Sequence, residues 1–79
     1  MPRYHFHSAD GSREPDREGI ELANDEAARH AAVAFAGQVL KDDPNLIWEK
    51  GQWRVEVTDS SNMLLFTAIT LAIDAPRPA

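Results

Sequence analysis

An α+β fold, a small antiparallel sheet of two hairpins (β-β-α-β-β) with one helix packed on one face, is predicted by three features of this chain. The stretch from Trp53 to Ile73 reads as a single β-hairpin. Asp25 to Lys41 is an alanine-rich helical segment. Arg3 to Ala9 is a short alternating strand followed by the turn signal Asp10-Gly11. Hairpins flanking one helix give two layers, with the helix across one sheet face.

The C-terminal hairpin is the most informative segment. Trp53, Val55 and Val57 alternate with Arg54, Glu56 and Thr58, the period of a half-buried strand. Asp59-Ser60-Ser61-Asn62 is a run of turn formers. The chain resumes at Met63-Leu64-Leu65-Phe66-Thr67-Ala68-Ile69-Thr70-Leu71, which has no polar face. One helix covers one side of a small sheet, so a second copy or another protein is expected on the other. Leu65 and Ile69 are therefore interface candidates.

In the first strand Tyr4, Phe6 and Ser8 share one face, and His5, His7 and Ala9 share the other. The chain should reverse at Asp10-Gly11, where positive φ is tolerated. Ser12 to Gly19 is polar and contains Pro15, which cannot donate a ladder bond, so the second strand should be short, irregular and at an edge. Ile20 and Leu22 should resume pairing.

The helix has its N-cap at Asn24, acidic Asp25 and Glu26 in its first turn and Lys41 in its last. Ala28, Ala31, Ala32, Phe35 and Val39 fall on one stripe, with Phe35 as the only large anchor. His30, Val33, Ala34 and Gly37 lie opposite. Gly37 is either a tolerated defect or a point of close approach, and the first reading is preferred. Asp43-Pro44 starts a helical turn to Lys50, with a brief strand as the alternative. The expected core is Tyr4, Phe6, Phe35, Trp53, Val55, Val57 and Phe66, leaving His5, His7, Arg54, Glu56, Leu65 and Ile69 on the open face. Residues 1–73 form one domain, and 74–79 a disordered Pro-rich tail.

Composition excludes several roles. Thirteen acidic residues against eight scattered basic ones give a net charge of −5, so nucleic acid is disfavoured as a partner. The chain has no cysteine, hence no disulfide or thiolate metal site. A domain this small often has marginal stability, which makes self-association attractive. The first residues lack a signal-peptide core and no window suits a membrane helix, so a cytoplasmic protein without a membrane partner is expected.

Few residues invite chemistry. His5 and His7 point the same way and could share a zinc ion with Asp16 and Glu18. Without a spaced third His or Cys ligand, the preferred reading is cross-strand hydrogen bonding, with no metal. Asp10, Asp16 and Glu18 could be read as paired carboxylates for acid–base work, but nothing places them in a closed, dry pocket, and a solvated loop is the preferred reading. No phosphate loop, dinucleotide fingerprint or nucleophile elbow is present. The chain also has little volume for a ligand cleft of roughly 300 Å³. No enzymatic activity and no cofactor are expected. Trp53 should be buried. Trp48 could be buried or anchor a partner, and its sequence leaves both open.

The opening Met1-Pro2-Arg3-Tyr4-x-Phe6-His7, then Asp10-Gly11, Asp16-x-Glu18-Gly19-x-Glu21-Leu22, Glu26-Ala27-Ala28-Arg29 and Val55-Glu56-Val57-Thr58-Asp59, resembles a domain-of-unknown-function family of short bacterial proteins. The resemblance spans roughly residues 1 to 70 and implies no activity. At its motif positions, Gly19 should adopt a conformation that a Cβ would forbid. Asp16 and Glu18 should brace that loop, by pairing with Arg3 or Arg29. His5 stands where the family is often aromatic, and Asn62 where a turn glycine is usual; asparagine can take the same left-handed conformation.

The chain therefore reads as a non-enzymatic protein-interaction or regulatory module, homodimeric or bound to a protein partner. Leu65, Ile69, Trp48, His30 and Gly37 are its interface candidates, and Asp16, Glu18 and Gly19 its loop motif. The alternative is a nucleic-acid-associated regulator using the sheet face, with Tyr4 or Trp48 stacking on bases.

Overall fold

A computed structural model describes residues 1–9 and 13–78, and at 13 and 14 the backbone only. The predicted turn at Asp10-Gly11 lies outside the described residues. The chain runs β1 (Arg3–Ala9), β2 (Arg13–Glu14), β3 (Ile20–Glu21), α1 (Asp25–Asp42), α2 (Asn45–Lys50), β4 (Gln52–Thr58) and β5 (Leu64–Leu71). The class is α+β, with every strand pairing antiparallel. Two details of the predicted order change. The second strand is split into β2 and β3, which pair with opposite ends of one edge of β1. Two helices, rather than one, pack on the sheet, because α2 also rests against β4.

The sheet order is β2-β1-β4-β5, with β3 beside β2 along β1. Its helix-side face holds the core. Tyr4 and Phe6 of β1 meet Trp53, Val55 and Val57 of β4, and Val55 and Val57 are fully buried. Burying each such side chain contributes about 1.5–3 kcal/mol.

Helix α1 forms as its caps predict: the Asn24 side chain accepts from the Ala27 amide, and Asp25 and Glu26 occupy the first turn. Its buried residues are Ala28, Ala32 and Ala36. Phe35, the expected anchor, is 37% exposed and leans on Trp53 with ring centroids 6.1 Å apart. The reason is steric. An alanine row at i, i+4 and i+8 lets the helix backbone approach the sheet closely, and that approach turns Phe35 to the flank. Phe66 is likewise only partly buried, and the Arg29 guanidinium lies 5.8 Å from its ring centroid.

Helix α2 is the predicted turn. Gly51 ends it in the left-handed region, φ 78°, donating its amide to the Ile47 carbonyl. Ile47 enters the core, while Trp48 points outward. The β4–β5 turn is held by the Asp59 carboxylate, which accepts from the Ser61 and Met63 amides. Asn62 takes φ 65° there, the conformation expected of a glycine substitute. The register shifts between Val57 and Thr58, so Leu65 becomes an extra residue in β5. Beyond β5 the Ala72 amide donates to the Gly51 carbonyl, and 73–78 carry no regular structure.

Gly37 faces outward, and a Cβ placed there meets nothing within 4 Å. It is a tolerated helix defect. Gly37→Ala should therefore stabilise the fold by about 0.5–1 kcal/mol, read as a higher urea midpoint with unchanged slope. Ala32→Leu, under the same measurement, should destabilise by about 1–3 kcal/mol through overpacking.

Candidate functional site

The loop motif is assembled by a mismatch in chain length. Between the β1–β3 pair Tyr4↔Ile20 and the β1–β2 pair Ser8↔Glu14, only His5, Phe6 and His7 face the longer 15–19 segment. The extra residues cannot form a ladder, which leaves the Phe6 amide without a strand carbonyl. Asp16 fills that gap. Its Oδ2 accepts from the Phe6 amide at 3.1 Å, and its Oδ1 from the Glu18 and Gly19 amides at 3.1 and 3.2 Å. Burial pushes the Asp16 carboxyl up, but the amides of Phe6, Gly19 and Glu18, with the nearby His5, more than offset this and hold it below its ordinary value.

Gly19 closes the loop with φ 74°, and a Cβ there would lie 2.8 Å from the Tyr4 carbonyl oxygen. The expected bracing by Arg3 occurs, though through backbone: Arg3 Nη1 donates to the Glu18 carbonyl at 2.8 Å, while its other arm reaches Glu21 at 3.4 Å. Arg29 stacks on Phe66 instead of pairing with this loop.

His5 and His7 do share a face, their rings stacked with centroids 6.4 Å apart. Their nitrogens serve the same loop. The Asp16 amide donates to His7 Nδ1 at 2.9 Å, so the neutral ring carries its proton on Nε2 and donates to Thr58 Oγ1 at 2.9 Å. His5 Nδ1 lies 3.1 Å from the Asp16 carbonyl, which only accepts, so that nitrogen is protonated. Both nitrogens of His7 are thus engaged, and a metal on that ring would displace the bond to Thr58 or the one from Asp16. Among the described residues no group of three or more His, Cys, Asp or Glu is placed to hold a metal ion. Asp10, the third carboxylate of the acid–base reading, lies outside the described residues.

The same loop walls an open groove of about 570 Å³, floored by Phe6 and Ser8, flanked by Ala31 and Phe35 of α1, and rimmed by Pro15, Asp16 and Glu18 to Ile20. This exceeds the volume expected from chain length. Ser8 faces the groove while His5 and His7 face away, so the sheet separates hydroxyl from imidazole. Tyr4, proposed for base stacking, is buried and donates its hydroxyl to Asp25 Oδ1 at 2.7 Å. That bond, then burial, then the Asp25 charge hold the phenol above its ordinary value.

The interface candidates fall on three separate surfaces. His30 and Gly37 lie on the solvent side of α1, and Trp48, 56% exposed, on α2. Ile69, 57% exposed, lies on the sheet face opposite the helices. Leu65, expected beside Ile69, packs partly against the core, because the bulge reverses its side. Leu71, at 63% exposure, and Leu64, Met63 and Ile73 are large exposed apolar residues that the sequence reading did not assign. Only the parity of β5 beyond the bulge distinguishes Leu71. Arg54 and Glu56, on the same sheet face, pair with each other at 3.1 Å.

Asp16→Asn replaces one acceptor oxygen by a donor, so either the Phe6 bond or the Glu18 and Gly19 bonds are lost. The expected cost is about 1.5–3 kcal/mol. A carboxyl lowered by folding stabilises above its unfolded value, about 3.9, and the gap between the two proteins should close as pH falls through the lower folded value. Urea unfolding across that pH range checks both statements. Gly19→Ala should lose more than about 2 kcal/mol in the same assay, from left-handed strain and the clash with Tyr4.

No helix among the described residues is long and apolar enough to cross a membrane. No curated protein matches the chain, and no solved structure does. Residues 3–72 match the model of one family. The chain belongs to the family described as Domain of unknown function (DUF6894).

Proposed function

We propose that this protein is a non-enzymatic interaction module that acts as a homodimer, in a regulatory or accessory role in the cytoplasm. The observation that carries this reading is the apolar surface of β5. Ile69 and Leu71 are exposed on the sheet face away from the helices, with Leu64, Met63 and Ile73 exposed near the strand ends. Exposed apolar residues scattered singly need no explanation, whereas a run of them along one strand marks an interaction surface.

The rest of the geometry supports a binding role over a chemical one. The Asp16 carboxylate and the ring nitrogens of His7 are engaged in holding the β1 edge. These groups act as structural fasteners. Nucleic-acid binding draws less support, since Tyr4 is buried and Arg54 is tied to Glu56.

Light scattering over a wide concentration range tests the proposal. The solution mass should rise to twice the 8.8 kDa of one chain. A mass that stays at one chain throughout would refute the homodimer.

A further inference from the structure

The free edge of β5 specifies how two copies would meet. Backbone groups in an antiparallel strand point alternately to its two neighbours. The Phe6 amide points to Asp16, away from β4, so His5, His7 and Ala9 direct theirs to Thr58, Glu56 and Arg54. Trp53, Val55 and Val57 must then face β5, opposite Thr70, Ala68 and Phe66. The Ala72 amide on the Gly51 carbonyl continues that set. Thr67, Ile69 and Leu71 are left with their N–H and C=O groups aimed outward, where β5 has no further strand among the described residues.

Edge strands are ordinarily guarded against pairing by lysine, proline or bulges. From Leu64 to Leu71 there is neither a charge nor a proline, and the bulge lies at the Leu65 end. The opposite sheet edge is guarded: it is broken at 15–19, contains Pro15 and carries the Arg3–Glu21 pair.

Resting on the homodimer reading, we infer that β5 pairs antiparallel with β5 of a second copy, with Ile69 on the two-fold axis, joining two sheets into one. Charge places the seam between copies at this edge. Two chains of net charge −5 repel across most of their surface, whereas Ser60 to Ile73 carries no ionisable group. A two-fold axis requires a self-complementary edge. In this register Ile69 faces the partner's Ile69 and Thr67 faces the partner's Leu71, so every outward donor and acceptor of the three residues is matched. The exposed Ile69 and Leu71 side chains then line one apolar strip across the seam.

The cysteine-free chain gives a clean test. Residues in a hydrogen-bonded antiparallel pair have Cα atoms about 5.5 Å apart, within disulfide reach. Ile69→Cys, oxidised with diamide, should form a disulfide dimer rapidly. Val33→Cys, exposed on the outer side of α1, should stay largely uncross-linked. Ile69→Pro removes an outward amide without breaking a bond to β4, and should give a monomer with native circular dichroism. If the native chain is dimeric but Ile69→Cys cross-links no faster than Val33→Cys, the seam is wrong and the homodimer survives. A native chain that remains monomeric overturns both. Should Ile69→Pro misfold, the cysteine pair alone decides; a folded Ile69→Pro dimer overturns the seam.

Discussion

Phe6 sits in the middle of a central strand, yet its amide bonds to a carboxylate rather than to another strand. That substitution governs one whole side of the molecule. It allows β2 and β3 to share an edge of β1 despite a loop too long for a ladder, and it requires Gly19 to turn through the left-handed region. It also sets the tautomers of His5 and His7, since the Asp16 amide and carbonyl address one ring each. A single residue, through its carboxylate and its backbone, thus couples the loop, both histidines and, through His7 and Thr58, the central β1–β4 pair.

The two edges of the sheet are treated in opposite ways. One is closed by a carboxylate, a proline and an arginine fork. The other is long and uncharged, and ends the sheet. A domain of this length has limited core with which to offset chain entropy. Here that core is two fully buried valines, flanking aromatics and an alanine helix face. Extending the sheet through β5 would enlarge the cooperative unit without adding any side chain to that core. Pairing at the open edge, as proposed, would then add to stability as well as to recognition.

Much of this was legible in the sequence. The Asn24 cap, the alternation of Trp53 to Thr58 and the faces of β1 follow from local chemistry and strand period, and the structure places them as read. Phe35 was misassigned because the helix period admits two neighbouring stripes, and only the close approach of the sheet selects the Ala28, Ala32, Ala36 row. Leu65 was misassigned because one bulge residue inverts strand parity, and apolar residues on both sides of it conceal the inversion. The role of Asp16 was half visible. Its loop-bracing was expected, but its partners are amides that become orphaned only once β1 has two misaligned neighbours. Tertiary geometry creates that need, and no local pattern announces it.

Amide-resolved hydrogen exchange at low and high protein concentration tests the contrast between the two edges most directly. The Phe6 amide should be protected at both concentrations, since its acceptor lies within the chain. The amides of Thr67, Ile69 and Leu71 should exchange freely when dilute and become protected when concentrated. Outward amides that exchange freely at every concentration would contradict the account, as would a Phe6 amide without protection at neutral pH.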